Sequence, residues 1–98
     1  MELEKMLSSD TKILLVDVRT EAEYAEGHIP GAVLFPFDEL ENRKTDFAKL
    51  APAKDAAIVV YCRSGRRSGV AASTLSKLGY TNIADAGAIS TWKGKLEF

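Results

Sequence analysis

The chain has 98 residues, 13 basic and 14 acidic side chains, 46% apolar residues and one cysteine. That length suits a single domain over residues 1–98 with one core, and a lone cysteine excludes an internal disulfide framework and a cysteine-rich zinc site. Apolar runs fall far short of the ~20 residues of a membrane-spanning helix, and the acidic, amphipathic start Met1-Glu2-Leu3-Glu4-Lys5 is unlike a signal peptide, so a cytoplasmic protein without a membrane partner is expected.

In chain order, Glu2 to Ser8 fits a short helix with Leu3, Met6 and Leu7 inward. Ile13 to Val18 is a continuous apolar run interrupted only by Asp17, typical of a strand buried on both faces of a parallel sheet. Thr20 followed by Glu23 forms a capping box, starting a helix through Glu26 that Gly27 stops. His28-Ile29-Pro30-Gly31 reads as a turn, and Ala32 to Phe35 as a second strand closed by Pro36. Phe37 to Asn42 and Asp46 to Leu50 are short helical pieces, and Ala57 to Tyr61 is the clearest strand. After a polar break from Cys62 to Arg67, Ser68 to Leu78 reads as a helix with Ala71, Leu75 and Leu78 on one face. Gly79 is its C′ stop, with Tyr80 placed for the accompanying apolar contact. Ile83 marks a short edge strand, and Ile89 to Lys93 a last helical turn that buries Trp92. Alternating strands and helices predict an α/β fold, a mainly parallel central sheet with helices on both faces. Ligands of such sheets bind at the carboxyl ends of the strands, where Cys62 falls.

Charge points to the same place. Residues 1–60 carry 7 basic and 12 acidic groups, whereas residues 61–98 carry 6 and 2, and Arg63, Arg66 and Arg67 crowd within five positions. No basic helix face or aromatic platform accompanies them, so a small anion is the expected ligand rather than nucleic acid. The helix N-terminus, the three guanidiniums and a backbone curl allowed by Gly65 should all lower the Cys62 thiol pKa. At the ordinary value of ~8.5 only about 3% of a thiol is thiolate at pH 7; at ~6.5 about three quarters would be. The plainer alternative is that Cys62 is a small buried hydrophobe.

The chain resembles the single-domain rhodaneses, sulfurtransferases whose cysteine carries a persulfide. The resemblance rests on Leu15-Val16-Asp17-Val18-Arg19, on Glu21-Ala22-Glu23-Tyr24 with Gly27-His28-Ile29-Pro30-Gly31-Ala32, on Cys62-Arg63-Ser64-Gly65-Arg66-Arg67-Ser68-Gly69, and on the helix end from Ala72 to Tyr80. It runs from about Ile13 to Gly94 and departs at Gly87-Ala88, where many members carry two glycines. It implies a rhodanese-like fold, Cys62 as nucleophile, and Arg63, Ser64, Gly65, Arg66 and Arg67 as a substrate-binding cup. It implies further a small anionic sulfur donor, a thiol acceptor such as a small redox protein, and no metal or organic cofactor.

One enzymatic rival and one binding rival are separable. A non-catalytic rhodanese-like module often lacks the cysteine that is intact here. A cysteine phosphatase of related fold has five residues between cysteine and arginine; here position 68 is serine, so the cup is one residue too short, by at most ~3.3–3.6 Å of chain. Asp17 is expected to pair structurally with a base, Arg19 with Glu23 one helical turn on, and His28, the only histidine, to bond backbone rather than act as a base.

Overall fold

The computed structural model describes residues 13–92 and 94–98, and the expected helix over Glu2 to Ser8 lies outside them. One parallel sheet contains β1 (Ile13–Asp17), β2 (Val33–Leu34), β3 (Ala57–Cys62) and β4 (Ile83–Ala88), in the spatial order β2-β1-β3-β4. Helices α1 (Glu21–Glu26), α2 (Lys44–Leu50) and α3 (Arg66–Lys77) connect them, with 3-10 turns at Phe37–Glu39 and Ile89–Thr91. The chain is therefore α/β with a parallel central sheet, as its alternating pattern predicts.

The apolar runs of β1 and β3 are explained by burial on both faces. Leu14, Val16, Ile58, Val60 and Cys62 point into one core, completed by Phe35, Phe47, Leu75 and Tyr80. Ile13, Leu15, Val59 and Tyr61 point into the other, completed by Ile29, Ala32 and Ile89. Handedness sets the layers. The chain steps from β1 outward to β2, then reverses to β3 and β4; right-handed crossovers then put α1 on the face opposite α2 and α3. The reversal creates a topological switch point between the carboxyl ends of β1 and β3, where Asp17 lies beside Tyr61.

Element edges depart from the pattern for local reasons. Helix α3 starts at Arg66, two residues ahead of Ser68, because Gly65 takes the N-cap position with φ 99° and lets the loop close abruptly. Its far end is a Schellman motif: the Tyr80 N–H donates to Leu75 O at 3.1 Å and the Gly79 N–H to Ser76 O at 3.0 Å. Strand β4 runs six residues, longer than its alanine-rich sequence suggests, and is paired to β3 with a bulge between Val60 and Tyr61. Trp92 is half-buried in extended backbone rather than buried in a helical turn; its indole N–H donates to Lys95 O at 3.1 Å, and bonding that carbonyl keeps the ring near the surface.

Candidate active site

Cys62 is the last residue of β3, and the chain turns through Arg63, Ser64 and Gly65 straight into α3. The apolar strand buries the cysteine completely, while the turn folds its amides back over the sulfur. The Gly65 N–H donates to Cys62 Sγ at 2.9 Å, and the Ser68 hydroxyl lies 3.5 Å from the same atom. Ser68, also buried, donates its hydroxyl to Gly65 O at 3.0 Å, tying the first turn of α3 to the loop. Burial alone would push the thiol pKa up. Hydrogen bonds from the Ser68 hydroxyl and from the amides of Ser68, Gly65 and Ser64 outweigh it, and the thiol is held below its ordinary value. The direction matches the sequence expectation, but hydrogen bonds rather than guanidinium charges lead among its causes.

The three arginines, alike in sequence, have different surroundings. Arg63 and Arg66 are exposed, and among the described residues neither forms an ion pair. Arg67 instead donates through both terminal nitrogens to the two carboxylate oxygens of Glu23, at 2.7 and 2.9 Å. Glu23 is fixed by the Thr20 capping box, which the structure contains as the spacing predicts. Arg67 and this cap hold the Glu23 carboxyl down at about 2. The partnership expected between Arg19 and Glu23 is not formed. Arg19 precedes α1, so the spacing rule for helical neighbours does not apply, and its guanidinium turns back to Asp17.

That buried pair organises the floor beside the loop. Asp17 accepts the Arg19 backbone N–H and Nε–H on Oδ1, both at 2.9 Å, and Nη2–H on Oδ2 at 2.7 Å. The Tyr61 hydroxyl donates to Asp17 Oδ2 at 2.9 Å and accepts the Ile29 N–H at 3.1 Å; its burial pushes the phenol pKa up. Arg19 also donates to Gly27 O at 2.7 Å. Asp17 therefore pairs structurally, as expected, with Arg19 and Tyr61 as its partners. His28 Nδ1 donates to Tyr24 O at 2.9 Å, and the two rings stack 3.7 Å apart, a structural setting for the imidazole.

A cleft of about 520 Å³ opens beside the loop, lined by Arg19, Glu23, Glu26, Arg63, Trp92 and Leu96 among others. Sequence reasoning passed over two residues here. Ser68 was legible only as a helical residue, although its position in the first turn after the cysteine places a hydroxyl beside the sulfur. Glu23 was legible as a cap, but its partner lies 44 residues away and leaves no local signal.

A parallel sheet with a lone cysteine at a switch-point strand end, amides folded onto its sulfur and a helix starting at once, defines a class of cysteine-loop α/β domains. A family model described as "Rhodanese-like domain" matches residues 1–95, and the chain belongs to that family. Among curated proteins it is 38% identical over 74 residues to "Thiosulfate sulfurtransferase PspE" of Escherichia coli, covering 76% of this chain and 68% of the relative. It is 35% identical over 92 residues to "Putative sulfur carrier protein YrkF" of Bacillus subtilis, covering 93% of this chain but only 47% of that protein. Among solved structures, "rhodanese with anions from E. coli" superposes with a TM-score of 0.79 at 32% identity, covering 88% of this chain and 98% of the other. "Human Single Domain Sulfurtranferase TSTD1" gives a TM-score of 0.76 at 35% identity, covering 93% and 88%. The fold is thus one suited to sulfur-transfer chemistry.

Proposed function

We propose that this domain is a sulfurtransferase that moves a sulfane sulfur from thiosulfate or a persulfide donor to a thiophilic acceptor through a Cys62 persulfide. The observation that carries this reading is the Cys62 sulfur held at 2.9 Å by the Gly65 amide, with its thiol pKa lowered by that and neighbouring hydrogen bonds. A thiolate stabilised in this way needs no general base. It attacks the outer sulfur of thiosulfate, the donor S–S bond breaks, and sulfite leaves with the bonding electron pair. The Cys62 persulfide then loses its outer sulfur to an acceptor, cyanide in an assay or a thiol in a cell, in ping-pong order.

The loop divides the remaining work. Amides of Ser64, Gly65 and Ser68 stabilise negative charge on Cys62, and the exposed guanidiniums of Arg63 and Arg66 meet the anionic donor and the charge building on sulfite. Arg67 belongs to the same cup, its guanidinium held by Glu23. The buried position of Cys62 favours a donor that presents a single sulfur atom over one that presents a tetrahedral face of oxygens. No step calls for a metal or organic cofactor. Mass spectrometry of the protein after thiosulfate treatment tests the reading. One added sulfur atom, removable by cyanide with release of thiocyanate, is expected for the wild type and neither event for Cys62→Ser. Thiocyanate production retained by the serine variant would overturn it.

A further inference from the structure

Arg67 sits in the first turn of α3, beside the cysteine loop, yet its guanidinium is committed to a carboxylate on another helix. Both side chains of this pair are largely shielded, at 23% and 20% exposure. The carboxylate is anchored from its own side too, since the Thr20 N–H and hydroxyl both donate to Glu23 Oε1, at 3.1 and 3.0 Å. Glu23 therefore cannot swing away without breaking its cap as well as the pair. Charges of Cys62 and Asp17 reach Arg67 and raise its pKa further, behind the larger effect of Glu23. The guanidinium is thus electrostatically part of the site although Glu23 occupies both of its terminal nitrogens.

We propose that Glu23 is a specificity-determining positioning residue: by occupying both terminal nitrogens of Arg67 it neutralises one of the loop's three guanidiniums and so sets the donor charge that the cup prefers. The proposal rests on the reading of Cys62 as the sulfur acceptor. A positive charge beside the cup attracts a dianionic donor about twice as strongly as a monoanionic donor of the same shape. Neutralising that charge narrows the advantage of the dianion and admits singly charged persulfides and thiosulfonates on better terms.

Thiosulfate and methanethiosulfonate make the probe pair, because they share the sulfane sulfur and differ in one oxygen anion against one methyl group. In each case the Cys62 thiolate forms a bond to the sulfane sulfur and the donor S–S bond breaks. Sulfite leaves from the first and methanesulfinate from the second, each with the electron pair, and the cysteine persulfide keeps the single negative charge. The measured quantity is the ratio of kcat/KM for thiosulfate to that for methanethiosulfonate, at low and high ionic strength.

Glu23→Gln preserves an acceptor for the cap and for Arg67 while exposing its full charge, and should raise the ratio about tenfold at low salt. Arg67→Gln leaves the carboxylate unmatched and should lower the ratio by a similar factor. The double variant Glu23→Gln with Arg67→Gln removes a neutral pair and should return the ratio to within about twofold of the wild type. Added salt should shrink all of these differences. A merely structural pair would change both donors equally, and that result overturns the assignment. So does a double variant that loses its thiosulfate preference, because Arg67 would then contact the donor directly in the wild type. Should Glu23→Gln fail to fold, the other two variants carry the same comparison. A wild type that gains sulfur from neither donor overturns the transfer reading itself, an outcome distinct from an unmoved ratio.

Discussion

Replacing Ser68 by alanine isolates one source of thiolate stabilisation at Cys62. The hydroxyl is 3.5 Å from Sγ and donates to Gly65 O at 3.0 Å, so ionisation of the thiol draws its proton from a neutral carbonyl to an anion. A hydrogen bond to a charged group contributes ~1.5–3 kcal/mol and the neutral bond surrendered ~0.5–1.5 kcal/mol, leaving a net gain of ~1–1.5 kcal/mol. At ~1.4 kcal/mol per factor of ten, that is about a tenfold change in the thiolate fraction at a pH well below the thiol's pKa. Burial opposes ionisation in both proteins and largely cancels. The amides of Ser68, Gly65 and Ser64 remain, so the thiol of the variant should stay below that of an ordinary cysteine. The pH profile of iodoacetamide alkylation measures the shift directly: well below the wild-type pKa, the variant should react about tenfold more slowly. Stability should change by less than ~1 kcal/mol, because Gly65 O keeps the Gly69 N–H at 3.2 Å. A depressed thiol pKa adds stability that is present above the unfolded value and lost as pH falls through the folded value, so the variant should lose part of this alkaline gain. An alkylation pKa that does not move, in a variant that is still folded, would refute the role of the hydroxyl.

Two other substitutions probe the scaffold. Gly65→Ala forces a side chain onto a backbone at φ 99°, although the nearest atom to its new methyl, Gly87 Cα, would be 3.8 Å away. Strain rather than collision should therefore cost ~1–2 kcal/mol in a urea titration, and the Cys62 alkylation pKa should rise as the amide shifts. Asp17→Asn leaves the buried Arg19 guanidinium without its counter-ion and should cost ~3–5 kcal/mol in the same titration. Adding Arg19→Met should recover much of that loss; a double variant as unstable as the single one would show that hydrogen bonding, not charge, dominates there.

The parts of the structure legible in the sequence were those set by short-range rules. The period of β1 and β3, the Thr20–Glu23 capping box and the Gly79 stop each depend on neighbours within a few positions, and each is present. The cysteine loop was legible because an apolar strand, a glycine and a helix start adjoin in the chain. Long-range pairing was not. Glu23 has one base within reach of a sequence rule, Arg19, and its actual partner is Arg67, brought to it only by the packing of α1 near the carboxyl end of β3. Nor does the spacing of three arginines say which is neutralised. Strand β4 was under-read because Ala84, Ala86 and Ala88 carry little strand preference, and pairing with the buried β3 supplies what their side chains lack.

The buried polar groups of the described residues are Asp17, Arg19, His28 and Ser68, and their placement bears on how the site is held. Asp17 and Arg19 lie at the end of β1, Ser68 at the start of α3, and His28 in the connection that follows α1. All lie on segments that surround the switch point. Taking the Asp17–Arg19 pair out of water is costly, and a well-packed apolar pair would serve stability as well or better. What apolar side chains could not supply is direction. Arg19 joins β1 to the α1 end through Gly27 O, and Tyr61, the residue before Cys62, joins Asp17 to the Ile29 amide. The strand end that presents Cys62 is thereby fixed by hydrogen bonds on one face while the sulfur points to the other. Donors aimed at a developing charge are effective only if they need not reorganise as that charge appears. A Tyr61 held from both sides beneath a short loop meets that requirement, and accounts for charged groups buried where a chain of 98 residues has little core to spare.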